Sequence, residues 1–221
     1  MGTKEVNRLF CAELCQKGFL VFAMEYPLVP EKEIFSIFQD LMTGLEKAAD
    51  LFQTYEGDPE HVYLTGDSAG AYLSIYLSAM MKNPTLAQAA QVVPASNLHI
   101  KALGLISGMF YTRKRDDIGM FLTSYIYGKN WKKHAFRPYM NPEDPAITQN
   151  LPPSFLVTGH GDFLRHYSRE FAEALKRNGA ICHLEDFETT KKLPHAFSTL
   201  LPELPESQRA NERMAEFLLK Y

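Results

Sequence analysis

Residues 64–71 read Leu64-Thr65-Gly66-Asp67-Ser68-Ala69-Gly70-Ala71, and this stretch decides the fold. Residues 61–66 form a short apolar run with the length and composition of a buried strand, and residues 72–81 carry a helical pattern. A Gly-x-Ser-x-Gly pentapeptide between a strand and a helix describes a sharp turn that holds its serine in a strained conformation with the hydroxyl exposed. Gly66 and Gly70 lack side chains that would clash in such a turn. The turn sets Ser68 at a helix N-terminus, where free N–H groups and the helix dipole favour a developing oxyanion. The N–H of Ala69 is the expected donor, and Asp67 is expected to hydrogen-bond in support of the turn rather than to react.

Four further apolar runs, residues 18–26, 100–108, 154–159 and 181–187, read as strands buried on both faces. Helical patterns lie between them. Ile34, Phe38, Leu41, Leu45, Ala48 and Phe52 recur at helical spacing. Residues 164–177 carry Phe171 and Leu175 inward and stop at Asn178-Gly179, a favoured helix end. A last helix from about Ser207 aligns Ala210, Met214, Phe217 and Tyr221. This alternation predicts a three-layer α/β domain with a mostly parallel sheet and its ligand site at the carboxyl ends of the strands. Residues 109–153 interrupt it with Phe110, Tyr111, Phe121, Tyr125, Tyr127, Trp131, Phe136 and Tyr139. The expectation for that segment is a cap or lid insertion that packs over a site, within a single domain spanning residues 1–221.

Composition excludes several classes. With 221 residues, 46% hydrophobic, 22% charged and a net charge of -3, the chain can bury a sizeable core and offers no basic footprint for nucleic acid. No apolar run reaches the ~18 residues of a membrane span, and the start lacks a secretory pattern. Cys11, Cys15 and Cys182 form no metal-binding or disulfide pattern. The expectation is a cytoplasmic protein with free thiols; composition leaves open whether it forms homo-oligomers.

A serine nucleophile needs a base, and the base needs a carboxylate to fix its tautomer. Asp162, in Gly159-His160-Gly161-Asp162, and His195, in Pro194-His195-Ala196-Phe197, follow strand candidates at the edge of the sheet where Ser68 emerges. His160 and His166 are the alternatives for the base; Asp144 and the pair Glu185-Asp186 are the alternatives for the acid.

With these motifs in view, the chain resembles the hormone-sensitive-lipase-like branch of the α/β-hydrolases, which includes carboxylesterases and acetyl esterases. Glu25-Tyr26-Pro27-Leu28-Val29-Pro30-Glu31 looks like that family's tyrosine-x-leucine-x-proline-glutamate turn, and Asp40 fits its usual aspartate. The resemblance covers the chain from Arg8 onward and implies cleavage of a small-molecule, short-chain carboxylic ester by Ser68, His195 and Asp162, without metal or organic cofactor. It also implies further strands and an HGGG-type loop that completes the oxyanion hole. No HGG occurs in the 221 residues, so an N-terminally truncated sheet and an incomplete oxyanion hole are expected. The alternative to an esterase is therefore a binding protein that keeps the pocket without full catalytic power. A peptidase of the same fold is disfavoured, since no amine-anchoring domain is evident.

Overall fold

Four of the five apolar runs form strands in the computed structural model, which describes residues 4–52, 54–116, 119–188 and 192–221, with backbone alone at 120 and 121. They are β1 (Val62–Asp67), β2 (Ile100–Ile106), β3 (Ser154–Gly159) and β4 (Cys182–Phe187). All pair in parallel, in the order β1-β2-β3-β4. Helices connect and flank them: α1 (Arg8–Gln16), α2 (Ile34–Leu51), α3 (Ala69–Lys82), α4 (Pro84–Ala90), α5 (Gly119–Tyr127), α6 (Pro145–Thr148), α7 (Arg165–Arg177), α8 (Phe197–Leu200) and α9 (Pro205–Leu218). The end of α7 follows its sequence signal. Gly179 takes φ 77°, and the N–H of Ala180 donates to the carbonyl of Leu175 at 3.0 Å.

The strand pleat sorts side chains to two faces. Ala102, Ile106, Phe155 and Val157 pack with Phe10 and Leu14 of α1 and with Ala210, Met214 and Leu218 of α9. Leu103, Leu105 and Leu156 point the other way, into the cluster built by α2, α3 and α7. On α2 the buried positions are Ile34, Ile37, Phe38, Leu41, Met42 and Leu45, one helical stripe. Helix α3 is buried without a break from Ala71 to Met80. A helix apolar on all sides must be covered on all sides, and the segment after β2 supplies part of that cover.

That segment, residues 109–153, contributes interior rings. Phe110, Tyr111, Tyr127 and Phe136 are buried, and Trp131 and Tyr139 pack against the same cluster, whereas Tyr125 is exposed. Phe110 stacks on Phe171 of α7 with centroids 4.3 Å apart. The Tyr72 and Tyr127 hydroxyls meet at 2.6 Å, and Thr112 bonds Tyr127 at 3.0 Å. Burial pushes the Tyr127 phenol up to about 12, so this network stays neutral. The side chain of Phe121 lies outside the described ones.

The first strand candidate is a correction. Residues 18–26 form no strand, because an apolar run becomes one only if another strand accepts its backbone hydrogen bonds, and a distant partner leaves no local mark. The segment is tied down by side chains instead. Phe19 meets Tyr63 edge-on at 5.8 Å, and Phe22 contacts Phe52 and Tyr55. In the turn that follows, Lys32 donates to Asp40 at 2.6 Å.

Candidate active site

The turn between β1 and α3 has the predicted strain. Ser68 takes φ 52° and ψ -113°, in a region that costs an L-residue about 1–3 kcal/mol. Backbone contacts fix it from both sides. Its N–H donates to Ile106 at 2.9 Å, and its carbonyl accepts from Met109 at 3.0 Å. Gly66 permits the close approach of strand and helix, since a Cβ there would lie 2.5 Å from the Gly70 carbonyl carbon. Gly70 differs from expectation: a Cβ on it meets nothing within 4 Å, because its side-chain direction faces open space. Ala69 begins α3, so its N–H is among those a helix leaves free at its start. Asp67 accepts from the Asn7 side chain at 2.8 Å. Burial, and secondarily the Asp67 charge, push the Tyr26 phenol up.

Asp162 and His195 meet. The His195 Nδ1 lies 2.8 Å from Asp162 Oδ1, a spacing that fixes the imidazole tautomer with its proton on Nδ1 when neutral. The Asp162 side chain is wholly buried, against 20% exposure for His195. Its carboxylate also accepts from the Leu164 N–H at 2.9 Å and from the Thr158 hydroxyl at 2.9 Å. Burial alone would push the Asp162 carboxyl up; hydrogen bonds from His195, Ser107 and the Leu164 N–H outweigh it and hold the group below its ordinary value. Phe163, 60% exposed, lies against the His195 ring at 4.4 Å. No hydrogen bond joins Ser68 to His195 among the described contacts. The loops carrying the two residues are nonetheless stitched together, since Ser68 bonds Ile106 while Ala196 donates to the hydroxyl of the next residue, Ser107, at 3.0 Å.

Four of the five competing candidates are engaged elsewhere. His166 faces Asp116 at 3.5 Å, and His160 is exposed at the end of β3. Asp144 caps α6 by accepting from the Ala146 N–H. Glu185 and Asp186 form ion pairs with Arg213 and Arg165. Sequence reading missed Ser107, a buried serine at φ 49°. Its only sequence signal is its place just past the end of β2, the same sheet edge as Ser68. Among the described residues no group of three or more His, Cys, Asp or Glu side chains could hold a metal, and no helix is long and apolar enough to cross a membrane.

Comparison with known proteins gives a consistent picture. A family model described as alpha/beta hydrolase fold matches residues 1–199. The isoprenylcysteine alpha-carbonyl methylesterase of Arabidopsis thaliana is 25% identical over 83% of this chain and 45% of its own length. Carboxylesterase NlhH of Mycobacterium tuberculosis is 24% identical over 88% of this chain and 61% of its own. Among solved structures, Esterase B from Lactobacillus rhamnosis superposes with a TM-score of 0.87 at 23% identity, covering 99% of this chain and 71% of that one. Its form inhibited by a tributyrin phosphonate superposes at 0.88, with 22% identity and the same coverage. The chain spans about half the length of the first curated relatives it matches.

Proposed function

The chain belongs to the α/β-hydrolase family, in its hormone-sensitive-lipase-like branch, and from that premise we propose that it hydrolyses short-chain carboxylic esters through an acyl-enzyme on Ser68. One observation carries the reading: a serine held at positive φ on a strand-to-helix elbow shares a sheet edge with a histidine bonded to a buried carboxylate. In the proposed reaction the Ser68 Oγ attacks the ester carbonyl carbon while its proton passes to His195 Nε2. The oxyanion that forms is held by the Ala69 N–H at the start of α3. Collapse breaks the bond to the alcohol oxygen, which leaves with the proton from His195. A water then attacks the acyl carbon and gives its proton to the same nitrogen, which passes it to the Ser68 Oγ as the acyl bond breaks, releasing the acid and restoring the Ser68 hydroxyl. Asp162 keeps the imidazole oriented and offsets its charge. This chemistry requires no metal or organic cofactor.

The acyl preference is supported by the resemblance to carboxylesterases and by the inhibition of the Lactobacillus esterase by a tributyrin phosphonate. Cys11, Cys15 and Cys182 are all unpaired, which fits a cytoplasmic setting. Covalent labelling with a fluorophosphonate tests the reading, followed by rates on p-nitrophenyl acetate, butyrate and octanoate. Labelling that disappears in Ser68→Ala, with turnover fastest on the shorter esters, is the expected result. A folded protein that takes no label overturns it and favours the non-catalytic binding protein.

A further inference from the structure

Ser107 is fully buried, lies just past β2, and has φ 49°. Glycine takes that conformation without strain, so backbone shape alone is no reason for a serine here. What the serine adds is a hydroxyl, and the hydroxyl has a partner from a distant part of the chain. Its oxygen accepts from the N–H of Ala196, the neighbour of His195, at 3.0 Å, and the same hydroxyl helps hold the Asp162 carboxyl below its ordinary value. Ala196 itself takes φ 55° and ψ 33°, so that loop too is held in an uncommon conformation by its contacts. The backbone around Ser107 reaches the remaining member of the site. Ile106 accepts from the Ser68 N–H, Met109 donates to the Ser68 carbonyl, and Ser107 donates to Val157 at 2.8 Å. Residues 106–109 thus touch the Ser68 turn, the strand β3 that leads to Asp162, and the loop that carries His195.

We propose that Ser107 is a positioning residue of this site: its hydroxyl pins the backbone of the His195 loop to the end of β2 and thereby sets the imidazole relative to Asp162 and Ser68. The proposal rests on the hydrolase reading for its consequence in rate, and on the hydrogen bonds alone for its consequence in geometry. It acts through Asp162 and His195, and makes no contact with substrate.

Ser107→Gly and Ser107→Ala, each made alone and with Asp162→Asn, test it by two readouts. The first is the proton NMR signal of the His195 Nδ1–H bonded to Asp162, identified by its loss in His195→Ala. That signal should shift or broaden in both Ser107 variants; an unchanged signal in both overturns the proposal. The second is the rate of fluorophosphonate labelling at Ser68. Loosening a reacting group's position slows a reaction by up to about 100-fold, so labelling should fall by about 10- to 100-fold in both single variants. In the Asp162→Asn background the same change should cost less than about twofold, since residues acting as a unit are not additive. Equal losses in the two backgrounds indicate a purely structural serine and overturn the proposal. Ser107→Gly should melt above Ser107→Ala, because it relieves the positive φ while losing the same hydroxyl. A wild-type chain that takes no label sinks the hydrolase reading, and the NMR signal still decides the role of Ser107.

Discussion

Gly66→Ala isolates the geometric requirement of the elbow. The added methyl would sit 2.5 Å from the Gly70 carbonyl carbon, 2.7 Å from its oxygen and 2.9 Å from the Ala71 nitrogen. All three are backbone atoms of the first turn of α3, with no rotamer to swing away, and real Cβ contacts essentially never fall below 3.0 Å. Strand and helix must therefore part by at least about half an ångström, against the bonds from Ser68 to Ile106 and from Met109 to Ser68. Overpacking of this kind costs about 1–3 kcal/mol, and the unyielding partners put this case near 3. At about 2–4 °C per kcal/mol for a chain of this size, the melting temperature should fall by roughly 6–12 °C. A nucleophile displaced on that scale loses up to about 100-fold in reactivity, which the fluorophosphonate labelling rate reads directly. Gly70→Ala is the control from the same pentapeptide. Its Cβ meets open space, and alanine in a helix gains up to about 1 kcal/mol over glycine, so this variant should melt at or above wild type. A Gly66→Ala protein that melts and labels like wild type, or a Gly70→Ala protein that suffers equally, refutes the close-approach argument.

Ser68→Gly should abolish labelling while raising stability by about 1–3 kcal/mol in urea unfolding, since glycine adopts φ 52° without the strain serine bears; a destabilised variant would contradict the strain reading. Asp162 carries a pH signature. Its folded pKa lies below its ordinary 3.8, so its contribution to stability is complete above the unfolded value and lost as pH falls through the folded one. Between about pH 6 and pH 3, wild type should lose more stability than Asp162→Asn, and equal losses would show that the carboxylate is not the stabilised form.

The parts of this molecule that sequence reveals are those whose cause is local. The elbow is legible because Gly66 and Ser68 carry its steric needs within one pentapeptide, and the end of α7 because Gly179 supplies the positive φ that the helix stop requires. The pairing of Asp162 with His195 followed from their order after successive strands, although nothing local joins them. Residues 18–26 show the limit, for an apolar run reports the conformation it favours and says nothing about who completes its ladder. Ser107 was hidden for the same reason. A serine at the end of an apolar strand has no signature of its own, and its meaning depends on Ala196, which lies 89 positions away. The rings of residues 109–153 were visible as a cluster, but which of them turn inward depends on the gap left between α2, α3 and α7.

The sheet also sets a timetable for assembly. The four described strands lie side by side in the order in which they are synthesised, so among them each can dock on the edge left by the one before. The serine follows β1, while the imidazole that would take its proton comes after β4. On the proposed reading, Ser68 stays an ordinary alcohol until the loop after β4 has been made and His195 has met Asp162.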